Sequence, residues 1–138
     1  MSIIHVGHIR SALNTRFAGL IDTTDVPTGS NEQQRENFVL TRSLAAFSLA
    51  QVAGIDDAIA ADAVVDGPQD NGIDAIFYDP AEKTCYVVQS KWIHSGNGSV
   101  EVGEIQKFVQ GIEDLLEPRF ERFNEKIRRK QEMNHAGP

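Results

Sequence analysis

The chain is predicted to have an α/β fold, in which helices flank a mixed central sheet built around a β-hairpin. Apolar residues recur at intervals of three and four before residue 54 and after residue 100, as in amphipathic helices. Between them, residues 72–92 contain two short runs rich in Val, Ile and aromatic residues, separated by a turn with Pro80. Both faces of these strands are apolar, so helices are expected on both sides of the sheet.

Two helices are predicted before the hairpin. The first covers residues 2–21, and the polar, Pro-containing stretch 22–30 is a loop. The second helix covers residues 31–53, with Ser30 or Asn31 as its N-cap and Gly54 as a left-handed C-terminal cap. A short helical turn is expected at 56–61, which leads into the strands.

The hairpin consists of strands 72–78 and 84–92, joined by the turn 79–83. A flexible loop at 95–99 follows, and then a helix over 100–116 and a last helix over 118–133. The resulting order is helix, strand, strand, helix, preceded by an extra N-terminal helix. The predicted domain organisation is an N-terminal helix and loop (1–30), a core domain (31–133) and a tail (134–138).

Composition excludes several classes of protein. The chain has no apolar run of about 18 residues and no basic region followed by an apolar signal core, which predicts a soluble cytoplasmic protein without a membrane partner. Its single cysteine, Cys85, excludes an internal disulfide and a Cys-based zinc cluster. Because Cys85 lies in a strand-like run, it is expected to be an inert core residue.

The formal net charge of -7 argues against a protein that coats nucleic acid through a generally basic surface. The charge is uneven: residues 22–74 contain ten acidic residues and only two basic ones, Arg35 and Arg42. Clustered carboxylates repel one another unless they are solvated or bound to cations. A metal site is therefore expected within this acidic region.

The strongest chemical signal is Asp74 on the first strand, followed by Gln89 and Lys91 on the second. Side chains alternate along a strand, so Gln89 and Lys91 share one face while Ser90 points to the other. Symmetric pairing about the turn puts Asp74 opposite Val88 or Gln89. A carboxylate, an amide and an ammonium group are thus predicted to meet at the open end of the hairpin.

This set of groups suits phosphodiester hydrolysis, in which a divalent cation with oxygen ligands activates water and polarises the phosphate. Asp74 is the predicted anionic ligand of Mg²⁺ or Mn²⁺, together with the amide oxygen of Gln89 and the backbone carbonyl of Ser90. Lys91 would orient the attacking water and stabilise the charge that develops on the phosphate.

The segments Gly-Ile-Asp74-Ala and Val-Gln89-Ser-Lys91-Trp resemble the core of the PD-(D/E)XK nuclease superfamily, in its Asp…Gln-X-Lys variant. More narrowly, they are similar to the N-terminal domain of abortive-infection phage-resistance (AIPR) proteins and to the related Mrr-like restriction endonucleases. The resemblance implies a restriction-endonuclease-like fold and DNA cleavage in defence against phage. It also implies that the chain is the N-terminal module of a longer protein.

The family pattern adds an acidic residue on the helix before the sheet, and the resemblance matches it to Glu36, with Glu32 as the competitor one turn earlier. Gln89 departs from the commoner Glu and removes one negative charge from the metal site. The resemblance implies that Glu36 compensates for this loss.

Further residues are candidates around this site. Asp66 and Asp70 precede the first strand and shape its loop, and Asp66 is a candidate partner of the metal ligands. His94 is a candidate substrate contact, as are Gln106 and Lys107 at the start of the following helix, where a helix N-terminus could receive a phosphate.

Each residue also has a purely structural interpretation. Asp74 would cap a turn, Gln89 would satisfy a backbone edge, and Lys91 would extend from a strand end into solvent.

A second function follows from the acidic charge and from Gln89, namely a nuclease-like module that binds nucleic acid or a protein without cutting. The candidate partners are DNA, RNA as an alternative, and a second copy of the chain.

Overall fold

The computed structural model describes residues 3–66, 72–92 and 102–116. The predicted loop 95–99, the last helix 118–133 and the tail 134–138 lie outside these ranges. The described part combines helices with a two-stranded antiparallel sheet, which confirms the α/β class. In chain order the elements are α1 (Ile3–Phe17), α2 (Glu32–Ala53), α3 (Asp57–Asp62), β1 (Ala75–Asp79), β2 (Thr84–Val88) and α4 (Val102–Leu116).

Both ends of α2 are fixed by local hydrogen bonds. The Asn31 side chain accepts a hydrogen bond from the Gln34 N–H at 2.8 Å, and the Gln34 side chain accepts one from the Asn31 N–H at 2.9 Å. This reciprocal pair is a capping box. At the other end Gly54 has φ 68° and its N–H donates to the carbonyl of Ala50. The two predicted helix ends are confirmed, with Asn31 as the N-cap.

The N-terminal helix belongs to the same core as α2. Leu13 and Phe17 of α1 are buried in one cluster with Leu40 and Leu49 of α2 and with Ala60 of α3. At the edge of this cluster Arg16 makes an ion pair of 2.6 Å with Asp57, and its hydrogen bond holds the pKa of the Asp57 carboxyl below the usual range. The described helices α1, α2 and α3 therefore form one layer.

The hairpin is covered on both faces, as its apolar pattern predicts. In the antiparallel register Phe77 lies opposite Tyr86, and both pack against the α1–α3 layer. Ile76 lies opposite Val87, and this pair packs instead with Phe108 of α4. Side-chain alternation thus directs one face of the hairpin towards α2 and the other towards α4.

The sheet differs from the predicted one in its pairing. In the described ranges it contains β1 and β2, extended by an isolated antiparallel bridge between Val64 and Ala75, so the expected mixed sheet is not what these residues form. The first strand begins at Ala75 rather than at residue 72. Gly72 has φ 80°, a left-handed conformation that interrupts an extended strand.

Cys85 corrects another prediction, since the side chain is exposed rather than buried in the core. Cys85 lies near the turn end of β2. The contact of the hairpin with α4 lies further from the turn, where Phe108 packs beside Val87 and Ile76. Although the residue is exposed, desolvation of the sulfur raises the pKa of the Cys85 thiol. A protonated thiol is a poor nucleophile and metal ligand at neutral pH.

Gly72 also sets how closely α4 approaches the hairpin. A Cβ atom at this position would lie 2.9 Å from the backbone nitrogen of Phe108 and 3.0 Å from the carbonyl carbon of Lys107. Both atoms are backbone atoms of a helix and cannot rotate away. Only a glycine accommodates this contact together with the positive φ.

We expect Gly72→Ala to destabilise the protein more than Gly19→Ala does. Gly19 has a matching φ of 82°, but nothing lies within 4 Å of its Cβ position, so Ala there costs only the left-handed conformation, about 1–2 kcal/mol. Gly72→Ala adds steric overlap worth about 1–3 kcal/mol. Urea unfolding of both variants measures the difference, and equal losses of stability would contradict the close packing of α4.

Candidate functional site

A cleft of about 300 Å³ lies at the open end of the hairpin, between α2 and α4. Asp74, Gln89 and Lys91, the three residues of the sequence motif, all line it. Asp74 lies just before β1, and the other two lie just after β2. Their neighbours come from α2, from the segment before β1 and from α4. The residues that matter most for its chemistry are Thr41, Asp66, Asp74, Gln89, Lys91 and Glu104.

Asp74 is the most constrained residue of the cleft. Its N–H donates to the carbonyl of Val88 at 2.8 Å, and its own carbonyl accepts from the N–H groups of Val65 (2.8 Å) and Asp66 (3.2 Å). The carboxylate Oδ2 accepts from the Ser90 N–H at 2.8 Å. With 8% of its surface exposed, the side chain is buried, and this hydrogen bond offsets part of the cost of burying a charge.

These contacts agree with the predicted registry. Because Asp74 bonds to Val88 through its backbone and to Ser90 through its side chain, it lies beside Gln89 at the end of the ladder. Ser90 Oγ is buried and has no hydrogen-bond partner among the described residues, so only the backbone of Ser90 contributes polar contacts there. Ser90, whose backbone carbonyl was predicted from the sequence to be a metal ligand, thus lines the cleft.

Gln89 and Lys91 both contact Glu104, which lies in the first turn of α4. Gln89 Nε2 donates to the backbone carbonyl of Glu104 at 3.2 Å, and Lys91 Nζ lies 2.8 Å from its carboxylate Oε1. The predicted strand over residues 84–92 is too long, since β2 ends at Val88 and both residues lie beyond it, but their side chains still reach one residue of α4. The side chains of Lys91 and Glu104 are 41% and 39% exposed, so this ion pair is weak and can exchange partners.

Behind the cleft, Arg42 of α2 is 1% exposed and binds several oxygen atoms. Its NH1 and NH2 groups form a bidentate pair with the Asp25 carboxylate at 2.8 and 3.1 Å, and Nε donates to Asp66 Oδ2 at 3.2 Å. NH1 also donates to the carbonyl of Asp22 at 2.9 Å. Burial opposes the charge of Arg42, but the hydrogen bonds and charges of Asp25 and Asp66 outweigh it and raise the pKa of the guanidinium.

The structure does not bring Glu36 to the cleft. Glu36 lies 3.8 Å from Arg10 Nε and lines a separate pocket together with Glu32. The residue of α2 that lines the cleft is Thr41. At 100° per residue, Glu36 lies about 140° around the helix from Thr41, and Glu32 lies about 180° away. Neither of the two carboxylates proposed for the helix faces Asp74, because both lie on the far side of α2.

Some of the other predicted site residues line the cleft, and others do not. Asp66 and Lys107 line the cleft, and Asp66 is hydrogen-bonded to Arg42. Gln106 is exposed on α4 and does not line the cleft. Asp70 and His94 lie outside the described residues.

Three residues of this site were missed from sequence. Arg42 carries a visible signal, because it is one of two basic residues among the ten acidic residues of the region 22–74. A cation in a stretch with so few of them is a natural partner for its carboxylates. Thr41 and Glu104 carry no comparable signal, since neither belongs to a motif with the residues that it joins in the cleft.

Several residues that line the cleft carry oxygen atoms, the ligand type that hard cations prefer. Within the described ranges no three His, Cys, Asp or Glu side chains converge on one point, which does not match a metal cage made by protein alone. The residues with oxygen atoms that line the cleft instead include Asp74 and Asp66, with one carboxylate each, together with Gln89 and Ser90. Mg²⁺ is commonly bound by one or two carboxylates, with water and substrate phosphates as its other ligands.

Comparison of the chain with models of protein families, with curated proteins and with solved structures found no match. Of the helices in the described part, none is long and apolar enough to cross a lipid bilayer.

We expect Arg42→Met to lower the free energy of unfolding by about 3–5 kcal/mol, because it leaves Asp25 and Asp66 without the cation that compensates them. The matched control is Arg35→Met on the same helix, where the arginine is exposed and makes one hydrogen bond of 3.4 Å. That change should cost about 0.5 kcal/mol or less. Urea unfolding at neutral pH measures both, and similar losses in the two variants would show that the Arg42 network does not support the fold.

Proposed function

We propose that this chain is a divalent-metal-dependent endonuclease domain that hydrolyses phosphodiester bonds in nucleic acid. The observation that supports this most is the convergence of the Asp74 carboxylate, the Gln89 amide and the Lys91 ammonium in one cleft. Resemblance to AIPR and Mrr-like proteins favours DNA as the substrate and defence against phage as the setting. We assign the domain the restriction-endonuclease-like fold on the same basis.

Asp74 would supply the negative charge of a Mg²⁺ or Mn²⁺ site. Its backbone is held by hydrogen bonds on both sides, and its carboxylate is held by the Ser90 N–H, so the ligand is oriented before any cation arrives. Gln89 is oriented as well: its Nε2 is engaged by Glu104, which leaves Oε1 as the ligand atom. A bound cation would polarise the phosphate and lower the pKa of a water molecule.

Lys91 would stabilise the negative charge that develops on the phosphate. In the absence of substrate its ammonium is held by the Glu104 carboxylate, and the exposure of both side chains keeps that pair weak. A phosphate entering the cleft offers Lys91 a second anionic partner. Glu104 therefore positions Lys91 near the reacting group without having to touch the substrate itself.

Lys107 adds a second ammonium group to the lining of the cleft. The chain as a whole has a net charge of -7, so its surface repels nucleic acid in general. Because Asp66 is paired with Arg42 and Glu104 with Lys91, a cation bound by Asp74 would act together with Lys107 to give the cleft a local attraction for a phosphodiester. Binding would consequently be confined to the site rather than spread over the surface.

A second candidate function is a nuclease-like module that binds nucleic acid or a protein without cutting. It is favoured by two observations: the described residues lack a cluster of three carboxylate, His or Cys groups, and Gln89 carries no charge. Calorimetric titration with Mg²⁺ or Mn²⁺ separates the two functions. Cation binding that is lost in Asp74→Asn supports the nuclease, and no binding in either protein supports the module.

For the nuclease, we expect Lys91→Ala to lower the cleavage rate at least about 100-fold, which is the usual effect of removing a group that stabilises transition-state charge. The matched control is Lys83→Ala, which removes an exposed lysine from the hairpin turn and should leave the rate unchanged. The assay incubates plasmid and single-stranded DNA with Mn²⁺ or EDTA. Cleavage that persists in EDTA, or in Lys91→Ala, would refute this mechanism.

The role of Glu104 gives a separate prediction. Glu104→Gln removes the ion pair with Lys91 but keeps the backbone contact to Gln89, so we expect kcat to fall about tenfold while KM changes less than twofold. This lies below the roughly 100-fold loss that follows a misplacement of 1 Å. Glu113→Gln, an exposed glutamate on the same helix, is the control. Equal kcat values for the two variants would show that Glu104 does not position Lys91.

A further inference from the structure

A second concave surface adjoins the cleft. This groove has a volume of about 690 Å³ and lies between the loop 27–30 and one face of α2, which contributes Asn37 and Phe38. Thr41 and Asp66 line both the groove and the cleft, so the two spaces meet at these residues. A ligand that occupies the cleft can therefore extend into the groove without leaving the surface of the protein.

The groove and the cleft differ in chemistry. The cleft is lined by charged groups, the ammonium groups of Lys91 and Lys107 and the carboxylates of Asp66, Asp74 and Glu104, which together suit a phosphate bound through a cation. The side chains along the groove are neutral amides and hydroxyls, such as those of Asn37 and Ser30, together with an aromatic ring. Among the described residues that line it, only Asp66 is ionisable, and its carboxylate is bonded to Arg42.

Phe38 is held in place at this groove. The guanidinium carbon of Arg42 lies 5.3 Å from the centre of the Phe38 ring, a cation–π contact. Arg42 is itself fixed by its bidentate pair with Asp25. Because the ring is already ordered by a buried neighbour, a planar ligand that stacks on it loses little free energy to ordering the protein.

We propose that the groove is a nucleobase subsite, which receives a base next to the phosphate bound in the cleft. Phe38 would provide the stacking surface, and Asn37 and Ser30 would donate to or accept from the edge of the base. A neutral, partly aromatic groove beside a charged cleft that would hold a phosphate matches the alternation of base and phosphate along a nucleic acid strand. Its volume falls within the usual range for small-molecule sites. The proposal deepens the proposed function and rests on a phosphodiester being bound in the cleft.

The test compares two fluorescent probes of equal charge, a single-stranded thymidine octamer and the same octamer without bases. Anisotropy titrations with Mg²⁺ use the unaltered chain, and both probes have phosphorothioate linkages, which keep the charge and resist cleavage, so that each probe stays intact. We expect loss of the bases to weaken binding about tenfold, in line with the energy of base stacking on an aromatic side chain. Adding Phe38→Leu should reduce this difference to less than about threefold, because the ring that the bases contact has been removed.

Gln33→Ala is the control, since Gln33 is exposed earlier on α2 and lines a different pocket; it should keep the tenfold difference. Asn37→Ala repeats the test at a second position if circular dichroism shows that Phe38→Leu is unfolded. A difference that survives both groove variants, or an octamer that binds no better than the abasic probe or not at all, overturns the subsite. If the groove variants remove the difference while wild-type protein does not cleave DNA with Mn²⁺, the subsite stands and the nuclease proposal fails.

Discussion

The hydrogen bonds of Asp74 join three segments of the chain at one residue. Its backbone N–H binds the end of β2, its carbonyl binds Val65 and Asp66, and its carboxylate binds the Ser90 N–H. A buried carboxylate is costly in free energy, and most of this cost must be offset by contacts of this kind. The same bonds that close the sheet also fix the Asp74 carboxylate in the cleft, so the position of this group depends on the pairing of the hairpin.

The acidic region acquires its structural role through Arg42. Two carboxylates that would repel each other, those of Asp25 and Asp66, are held on one buried guanidinium. This arrangement links the loop after α1, the middle of α2 and the segment that leads into β1. It also leaves the cleft less negative than the composition suggests, because the charge of Asp66 is already compensated. The proposed phosphate site, within a chain of net charge -7, would depend on this kind of local compensation.

Helix α4 completes the site from the other side of the hairpin. Gly72 permits its backbone to approach closely, and Glu104 then contacts both Gln89 and Lys91. The two lysines of the cleft lie on different elements, Lys91 beyond β2 and Lys107 on α4, so the position of α4 decides how much positive charge faces a phosphate. The neutral groove on the α2 side has no such charge. The cleft and the groove therefore differ in charge because different helices line them.

The sequence by itself determined the features that depend on local periodicity. Hairpin symmetry placed Asp74 beside residues 88–90, and Asn31 and Gly54 marked the ends of α2 because caps are local interactions. Gln89 and Lys91 both reach Glu104, although β2 ends at Val88 and the predicted strand over 84–92 is too long. Only the tertiary structure decided which helical residues complete the cleft. Glu36 lies in α2 and matched the family pattern, yet the rotation of α2 about its axis turns Thr41 to the cleft and Glu36 towards Arg10. Periodicity fixes which residues of a helix share a face, but packing against distant segments selects the face that meets the site.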